Sequence, residues 1–358
     1  MAVGMLAIGM GSMRARAIDC SQNAMLTRPI QLGVSGGNIN AFGGSGRNRF
    51  CFSGTLGSMV QDSSSIQYIL SNNHVLADIN KAKPGQQIVQ PGLAVPPPAI
   101  PCQKNQSDAV ATFSRTVKIR FGSAKNTIDA AIAAVDPNDV SADILNIGPI
   151  ANTVVAPSIG LAVQKMGATS CLTTGTISMV AVNGTVNYGG GKKAKFVNQI
   201  QIDGNFGAPG DSGSLIVTQD SCPQAVGLLF AGGTLKDGTP VTIANPISAV
   251  LSGLNVSMVG GCTAAPASSN AQADVEAGNA GMSKEAVASA IAVRDRHEDD
   301  LMRIPGAVGT GVGIGDEPGQ PAIVVYIKKM TPEVQAAAPK DVEGVPVKLI
   351  QNGGFVAY

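Results

Sequence analysis

Residues 209–214 read Pro-Gly-Asp-Ser-Gly-Ser, and this stretch carries the strongest chemical signal in the chain. A serine hydroxyl becomes an effective nucleophile only beside a base, and the oxyanion it creates needs hydrogen-bond donors. Glycines on both sides of Ser212 allow a tight turn that presents the hydroxyl and aims the amides of Gly210 and Ser212 at one point. A glycine-rich hairpin turn would have the same composition, so the interpretation depends on partners elsewhere in the chain.

His74 is the candidate base for that serine. It follows an apolar stretch in residues 68–76, which read YILSNNHVL, and it is the only histidine before residue 297. A lone histidine is more often structural than reactive, but the end of a strand can hold a reactive side chain rigidly and leave it exposed. The sequence therefore predicts a strand over Ile66–Ser71 that leads into a reactive imidazole.

The candidate third group is Asp129, which lies in the apolar run of residues 127–133, TIDAAIA. A carboxylate among apolar neighbours is costly unless hydrogen bonds satisfy it, and an N–H of the His74 ring would do so. The alternative is an aspartate that caps a turn at a strand edge. Ile128–Val135 has a composition that fits strand or helix, and its short length and turn-forming flanks favour a strand.

Three stretches in the order His, Asp, Ser resemble those of the trypsin-like serine endopeptidases of the chymotrypsin fold, which share that order. They are LSNNHVLA (70–77), IDAAIA (128–133) and PGDSGSLIV (209–217). GLLFAGG (227–233) resembles the strand that lines the substrate pocket, and ANPI (244–247) resembles the strand that enters a closing helix. The resemblance is greatest to the bacterial branch related to the plant narrow-leaf group.

The resemblance implies a serine endopeptidase that acts on a protein or peptide substrate. Ser212 would attack the carbonyl carbon, His74 would transfer the proton, and Asp129 would orient and stabilise the imidazole. The amides of Gly210 and Ser212 would hold the oxyanion, and no cofactor or metal would be needed. The alternative is a catalytically silent protein that keeps the fold as a binding or scaffold module.

The family resemblance also implies a substrate pocket. The residue six positions before the serine is Phe206 rather than an acid, so the pocket is not expected to favour Lys or Arg. A glutamyl preference is not expected either, because no second histidine lies near this region. We expect small or medium apolar side chains before the cleaved bond. The residues implied for the pocket are Phe206, Phe230, Ala231, Gly232 and Ile243.

Two features depart from the family pattern. Val75 stands where a disulfide cysteine directly follows the histidine in the family. No basic–Ile-Val-Gly-Gly activation site is present, and Arg28-Pro29-Ile30 is a poor substitute. The sequence therefore predicts a protein that is competent without pairing a freed N-terminus with Asp211.

The composition favours short strands and excludes several classes of protein. Apolar residues make up 44% of the chain and charged residues only 14%, with 44 glycines, which is typical of strands joined by tight turns. The formal net charge of +1 without a basic stripe indicates no nucleic-acid partner. The sequence contains no stretch of about 18 or more apolar residues, so no membrane span is predicted. Two histidines and no CxxC spacing make a metal site unexpected.

Six cysteines occur, an even number that fits disulfides in an oxidising compartment. The expected pairs are Cys20–Cys262, Cys51–Cys102 and Cys171–Cys222, and the alternative is six buried thiols. Residues 1–28 are interpreted as a tail with a partial signal peptide, because an apolar stretch (3–10) precedes a small-x-small site at 15–17 but lacks a basic region. The predicted location is secreted, periplasmic or in the cell envelope.

The pattern along the chain predicts a mostly β fold in which a double six-stranded β-barrel of the chymotrypsin type precedes a small α/β C-terminal module. The predicted units are barrels of about 29–145 and 146–258 within a protease domain of 29–258, a linker of 259–282 and a module of 283–358.

Within these units, residues 29–50 are predicted to be a loop, and Val117–Phe121 is predicted to be a strand. Ile247–Leu254 has helical spacing, and Ser283 is the predicted N-cap of a helix that reaches about Ile304. Two further strands are predicted over 345–350 and 355–358. The module is hypothesised to dock on the protease domain and limit substrate access, or to recruit a partner.

Overall fold

The computed structural model describes residues 25–43, 50–93, 109–264 and 282–358. The predicted signal segment lies outside these residues, as does most of the predicted linker. Across the described part, strands predominate and helices are few. This agrees with the composition of the sequence. Short strands are joined by tight turns, which favour glycine, and they do not require the charged outer faces of a helical bundle.

A first six-stranded barrel forms from the N-terminal half. The chain runs straight through Gly57 from β5 into β6, so these two act as one strand, and the ring order is β5/β6–β7–β11–β9–β8–β2, closed by the pairing of β2 with β5. The elements of this half are β1 Ile30–Leu32, β2 Val34–Asn38, β3 Phe42–Gly43, β4 Phe50–Cys51, β5 Gly54–Leu56, β6 Ser58–Gln61, β7 Gln67–Ser71, α1 Asn73–Leu76, β8 Gln87–Val89, β9 Ala109–Thr116, β10 Gly122–Asn126, β11 Ala131–Val135 and β12 Val140–Ile144.

A second six-stranded barrel follows. Its ring order is β15–β18–β17–β16–β13–β14, and the pairing of β14 with β15 closes it. The elements are β13 Ala162–Gly167, β14 Cys171–Asn187, β15 Lys193–Asp203, β16 Leu215–Thr218, β17 Ala225–Leu235, β18 Pro240–Pro246, α2 Ile247–Leu254 and β19 Ser257–Met258. The mostly β, double six-stranded barrel predicted from the sequence is therefore confirmed.

Two local predictions in the first barrel were wrong. Val117–Phe121 is not a strand, because side-chain amides replace a strand partner there: Ile119 N donates to Asn80 Oδ1 at 2.9 Å and Arg120 N donates to Asn126 Oδ1 at 2.8 Å. The predicted loop of 29–50 contains β1 and β2. Gly36 in β2 serves close packing rather than a turn, since a Cβ there would lie 2.5 Å from the Leu56 side chain.

The C-terminal part contains two capped helices. Ser283 Oγ accepts a bond from Ala286 N at 3.0 Å, which confirms Ser283 as an N-cap, and Thr331 Oγ1 accepts from Val334 N. The elements are α3 Lys284–Leu301, β20 Ala307–Ile314, β21 Pro321–Ile327, α4 Pro332–Ala337, β22 Asp341–Val342 and β23 Val345–Ala357. The two strands predicted at the end of the chain are one strand, β23.

The strands of this C-terminal part continue the sheet of the second barrel. β20 pairs antiparallel with β14, and β23 pairs with β17 and β14 as well as with β21. Arg294 on α3 is fully buried and donates from Nη1 to the Ala181 carbonyl oxygen at 2.8 Å. The strands of 283–358 therefore do not form a sheet of their own, because β14 extends past its pairing with β13 and offers that side to β20.

Two of the expected disulfide pairs were wrong. Cys222 is bonded to Cys262, which excludes both Cys20–Cys262 and Cys171–Cys222. Cys51 and Cys171 are also disulfide-bonded, and the expected Cys51–Cys102 pair involves a residue outside the described part of the chain. The spacing of cysteines along a chain does not reveal which strands lie side by side, and this is why pairing could not be read from it.

Among the described residues, no helix combines the length and the apolar character that crossing a bilayer requires.

Candidate active site

The site lies where the two barrels meet, and its first component is a close imidazole–carboxylate pair. His74 sits in α1, directly after β7, and its Nδ1 lies 2.6 Å from Asp129 Oδ2. The His74 backbone N–H also donates to Asp129 Oδ1 at 3.3 Å. Asn72 Nδ2 donates to the Asp129 carbonyl oxygen at 2.7 Å, so the two segments are fastened by side chain and backbone together.

Asp129 is fully buried, and Tyr188 helps to satisfy it. The Tyr188 hydroxyl donates to Asp129 Oδ2 at 2.8 Å, and its ring meets the His74 ring edge-on at 5.9 Å between centroids. The Asp129 amide donates to Asn245 Oδ1 at 2.9 Å. Sequence reasoning missed Tyr188, because it follows a long strand in a glycine-rich turn and lies 59 positions from its partner.

The two rings respond to Asp129 in different ways. Burial lowers the pKa of His74, but the charge of Asp129 and the hydrogen bond to it outweigh burial, so this pKa is raised above its ordinary value. Burial raises the pKa of Tyr188 well above its ordinary value, and the negative charge of Asp129 raises it further. Tyr188 is therefore a neutral donor, while His74 is the group of the two that can gain and lose a proton.

Ser212 lies in a tight turn that both barrels hold in place. The φ angles of Gly210 and Gly213 are +102° and +97°, values that favour glycine. A Cβ on Gly213 would lie 2.1 Å from Ser71 Oγ, so no larger residue fits there. Thr55 N of the first barrel donates to the Ser212 carbonyl oxygen at 2.7 Å. Because these glycines carry no side chain, the serine turn can pack closely against β5 and β7 of the first barrel, and β7 leads to His74.

Asp211, directly before the serine, has a cation of its own inside the protein. Lys165 Nζ lies 3.2 Å from Asp211 Oδ2, and both side chains are fully buried. Thr169 N, Ser170 N and Ala208 N also donate to this carboxylate. The predicted independence from a freed N-terminus has a physical basis in this pair, because Lys165 supplies the charge such a terminus would bring.

The serine hydroxyl does not bond to the imidazole in this structure. Ser212 Oγ donates to the Phe230 carbonyl oxygen at 3.1 Å. His74 Nε2 instead lies 3.0 Å from the carbonyl oxygen of Tyr358. With acceptors at both ring nitrogens, the arrangement favours the doubly protonated imidazole, in line with its raised pKa. The structure thus brings His74 and Asp129 together. At His74 Nε2, the carbonyl oxygen of Tyr358 takes the position that was expected for the Ser212 hydroxyl.

The residues predicted to line the pocket contribute mainly through their backbone. The side chains of Phe206, Phe230 and Ile243 are buried in the apolar clusters of the second barrel. Phe230 offers its carbonyl oxygen, and Ala231 and Gly232 pair with β23. In the described part of the chain, the amides of Gly210 and Ser212, which are the predicted oxyanion donors, have no hydrogen-bonded acceptor.

An open cleft of 580 Å³ adjoins these groups. His74, Tyr188 and Gly210 line it, and its wall also includes Gly54 of the first barrel and Tyr358, which follows β23. Among the described residues, no cluster of three or more His, Cys, Asp or Glu side chains offers a metal site.

No protein-family model and no curated protein matches this sequence. Several solved structures are similar to it. A glutamic-acid-specific serine protease described as using a histidine triad in substrate binding is 17% identical, with a TM-score of 0.44, over 64% of this chain and 100% of its own. Thermobifida fusca protease A is 18% identical, with a TM-score of 0.39, over 65% and 100%. Cellulomonas bogoriensis chymotrypsin is 18% identical, with a TM-score of 0.38, over 65% and 100%.

Proposed function

We propose that this protein is a serine endopeptidase in which His74, Asp129 and Ser212 form the catalytic triad. The observation that carries the proposal is the 2.6 Å contact between His74 Nδ1 and the buried Asp129 carboxylate, at a cleft whose wall also includes Pro209 and Gly210, which lead into the serine turn. A buried carboxylate that orients an imidazole, whose other nitrogen faces a cleft, is the arrangement that general-base activation of a serine requires.

The reaction follows from these positions. Ser212 Oγ attacks the carbonyl carbon of the scissile peptide bond, while His74 Nε2 takes the hydroxyl proton and Asp129 stabilises the imidazolium. The C–N bond then breaks as His74 gives that proton to the leaving amine, which leaves an acyl-enzyme. A water molecule, deprotonated by His74, attacks the acyl carbon and releases the carboxylic acid. Ser212 recovers its proton in that last step.

The oxyanion of each tetrahedral intermediate would be held by the amides of Gly210 and Ser212. The positive φ of Gly210 turns the backbone in the way that such a pair of donors needs. Neither amide has a protein acceptor in the described part of the chain, so both can donate to substrate. For catalysis, Ser212 Oγ must rotate away from the Phe230 carbonyl oxygen and towards His74 Nε2, from which Tyr358 must first withdraw.

The same proposal includes the finer expectations from the sequence. The substrate is a protein or peptide, the protein acts outside the cytoplasm, where its disulfides persist, and the protease domain spans 29–258. Membership of the bacterial branch related to the plant narrow-leaf group also stays a prediction from the quoted motifs.

Labelling with a fluorophosphonate probe tests the function directly. We expect covalent labelling of the Tyr358→Ala chain at Ser212, identified by sequencing of the labelled peptide, and none in the same chain with Ser212→Ala. In the same Tyr358→Ala chain, Arg303→Met, which alters an ion pair with Asp300 whose two side chains are exposed, is the control for folding and should label normally. Absence of labelling in a chain whose circular dichroism is native would favour the scaffold alternative over the peptidase.

A further inference from the structure

We infer that residues 355–358, which are the end of β23 and the Tyr358 that follows it, occupy the substrate cleft as a peptide substrate would, with Tyr358 in the pocket for the residue before the scissile bond. The inference rests on the proposed function and adds to it a substrate class and a means of control. The peptidase would cleave after aromatic residues, and this segment would block its own cleft.

The first line of evidence is backbone pairing beside the serine. β23 lies antiparallel to β17, with Val356 opposite Gly232 and Ala357 opposite Ala231. Tyr358 N donates to the Phe230 carbonyl oxygen at 3.2 Å. Adding an extended segment to a free sheet edge is a general way to bind peptides independently of their sequence, because main-chain bonds supply the affinity.

The second line of evidence is the position of the Tyr358 carbonyl group. Its oxygen lies 3.0 Å from His74 Nε2, the atom that must exchange protons with the reacting groups. The same residue shares the Phe230 carbonyl oxygen with the hydroxyl of Ser212, which bonds to it at 3.1 Å. Base, nucleophile and the Tyr358 main chain therefore meet at one point, as a scissile residue must.

The third line of evidence is the fit of the Tyr358 side chain. A Cβ built on Gly232 would lie 1.8 Å from the Tyr358 hydroxyl oxygen, so the ring fills the space that the absent side chain leaves. The hydroxyl lies 3.4 Å from the Val241 carbonyl oxygen, and the ring packs against the apolar cluster that includes Phe206. The pocket accepts a full aromatic side chain, which is larger than the small or medium group expected from the sequence.

The fourth line of evidence is the way the segment is held. Residues 355 and 356 also pair in parallel with Val186 and Asn187 of β14, so this end of β23 has a strand on each side. Before it, residues 347–351 pair with β21. A ligand tethered this way has an effective concentration of order millimolar or above, which a free substrate must exceed or displace.

The first experiment measures release of the cleft in the full chain. The substrate is succinyl-Phe-Val-Ala-Tyr-p-nitroanilide, which copies residues 355–358, compared with its Ala and Arg analogues at the last position. Tyr358→Ala should raise kcat/KM at least about tenfold over the unaltered chain. The matched control is Ile314→Ala, an exposed apolar residue of the same C-terminal part, which should leave kcat/KM unchanged. The Tyr substrate should exceed the Ala analogue by about tenfold or more.

The second experiment separates this inference from the proposed function, because it needs no catalysis. A fluorescein-labelled peptide Gly-Gly-Phe-Val-Ala-Tyr should bind a Ser212→Ala, Tyr358→Ala chain in an anisotropy titration and bind the Ser212→Ala chain far more weakly. Adding Gly232→Val should abolish binding. Equal binding to the first two chains, or a cleavage preference for Arg, would overturn the inference. Peptide binding without fluorophosphonate labelling would retain the cleft assignment and reject the peptidase.

Discussion

Two buried carboxylates sit close to the serine turn, and each has a cationic partner with a different role. Asp129 faces His74 and Asp211 faces Lys165, and all four side chains are at least nine-tenths buried. Lys165 Nζ also donates to Ser170 Oγ and to the Cys171 carbonyl oxygen, so its protons are all engaged inside the protein. His74 keeps Nε2 directed at the cleft.

The difference between the two pairs is access, because Nε2 of His74 faces the cleft, whereas every N–H of Lys165 is bonded inside the protein. Burial lowers the pKa of Lys165, although the charge of Asp211 opposes this shift. The Lys165 side chain is fully buried and does not line the cleft. The first pair is therefore suited to proton transfer and the second to holding the serine turn in shape. Four variants test this division of roles.

The largest expected effect is at the serine itself. In the Tyr358→Ala chain, Ser212→Ala should lower kcat for peptide hydrolysis by about 10⁴-fold or more, because the acyl-enzyme can no longer form. Thermal unfolding should change little, since the hydroxyl makes a single bond to the Phe230 carbonyl oxygen. A rate within tenfold of the parent chain would show that another group is the nucleophile.

The second effect concerns stability. Lys165→Met should lower the free energy of unfolding by about 3–5 kcal/mol, because it leaves the Asp211 charge buried without its partner. The measurement is urea unfolding followed by circular dichroism. Arg303→Met breaks an exposed pair with Asp300 and should cost less than about 1 kcal/mol. Equal losses in the two variants would contradict the structural role of the buried pair.

The third effect is at Tyr188, which we place as a positioning residue. Tyr188→Phe keeps the ring against His74 but removes the bond to Asp129, and should lower kcat about tenfold with KM unchanged. A merely structural role would change stability without moving the pH profile. We expect the acid limb of that profile to shift to higher pH, because Asp129 then carries more charge towards His74.

The smallest effect is the pH dependence of the parent site. The pKa of His74 is raised, so the neutral base required for attack forms only above its ordinary value of about 6.5, and kcat/KM should rise with pH through that raised value. The attraction between imidazolium and Asp129 stabilises the fold below the unfolded pKa and is lost as pH rises through the folded pKa. In Asp129→Asn, an acid limb at or below 6.5 is expected, and an unchanged limb would exclude this pair as its origin.

Local signals account for most of what the sequence predicted correctly. Ile247–Leu254 has the predicted bounds, and Ser283 caps its helix through a bond three residues away. The glycines beside Ser212 indicated the turn because their dihedral angles are a property of the residues themselves.

Contacts between distant parts of the chain account for most of what was missed. Tyr358 lies 284 positions from His74, and Lys165 lies 46 positions from Asp211. Neither has a local pattern, because the barrel closure and the extension of β14 bring them together only after the strands have paired. The Cys222–Cys262 pair was missed for the same reason.

The glycine pair at 353–354 divides β23 into two halves with separate attachments. Before this glycine pair, residues 347–351 pair with β21, and after it, residues 355–357 pair with β17. Gly354, which lies between the two segments, has a φ of +103°. Exposing the catalytic groups therefore requires only residues 355–358 to detach, while residues 347–351 stay paired with β21. The segment can detach by local unfolding and can pair again without assistance, because residues 347–351 remain attached to β21.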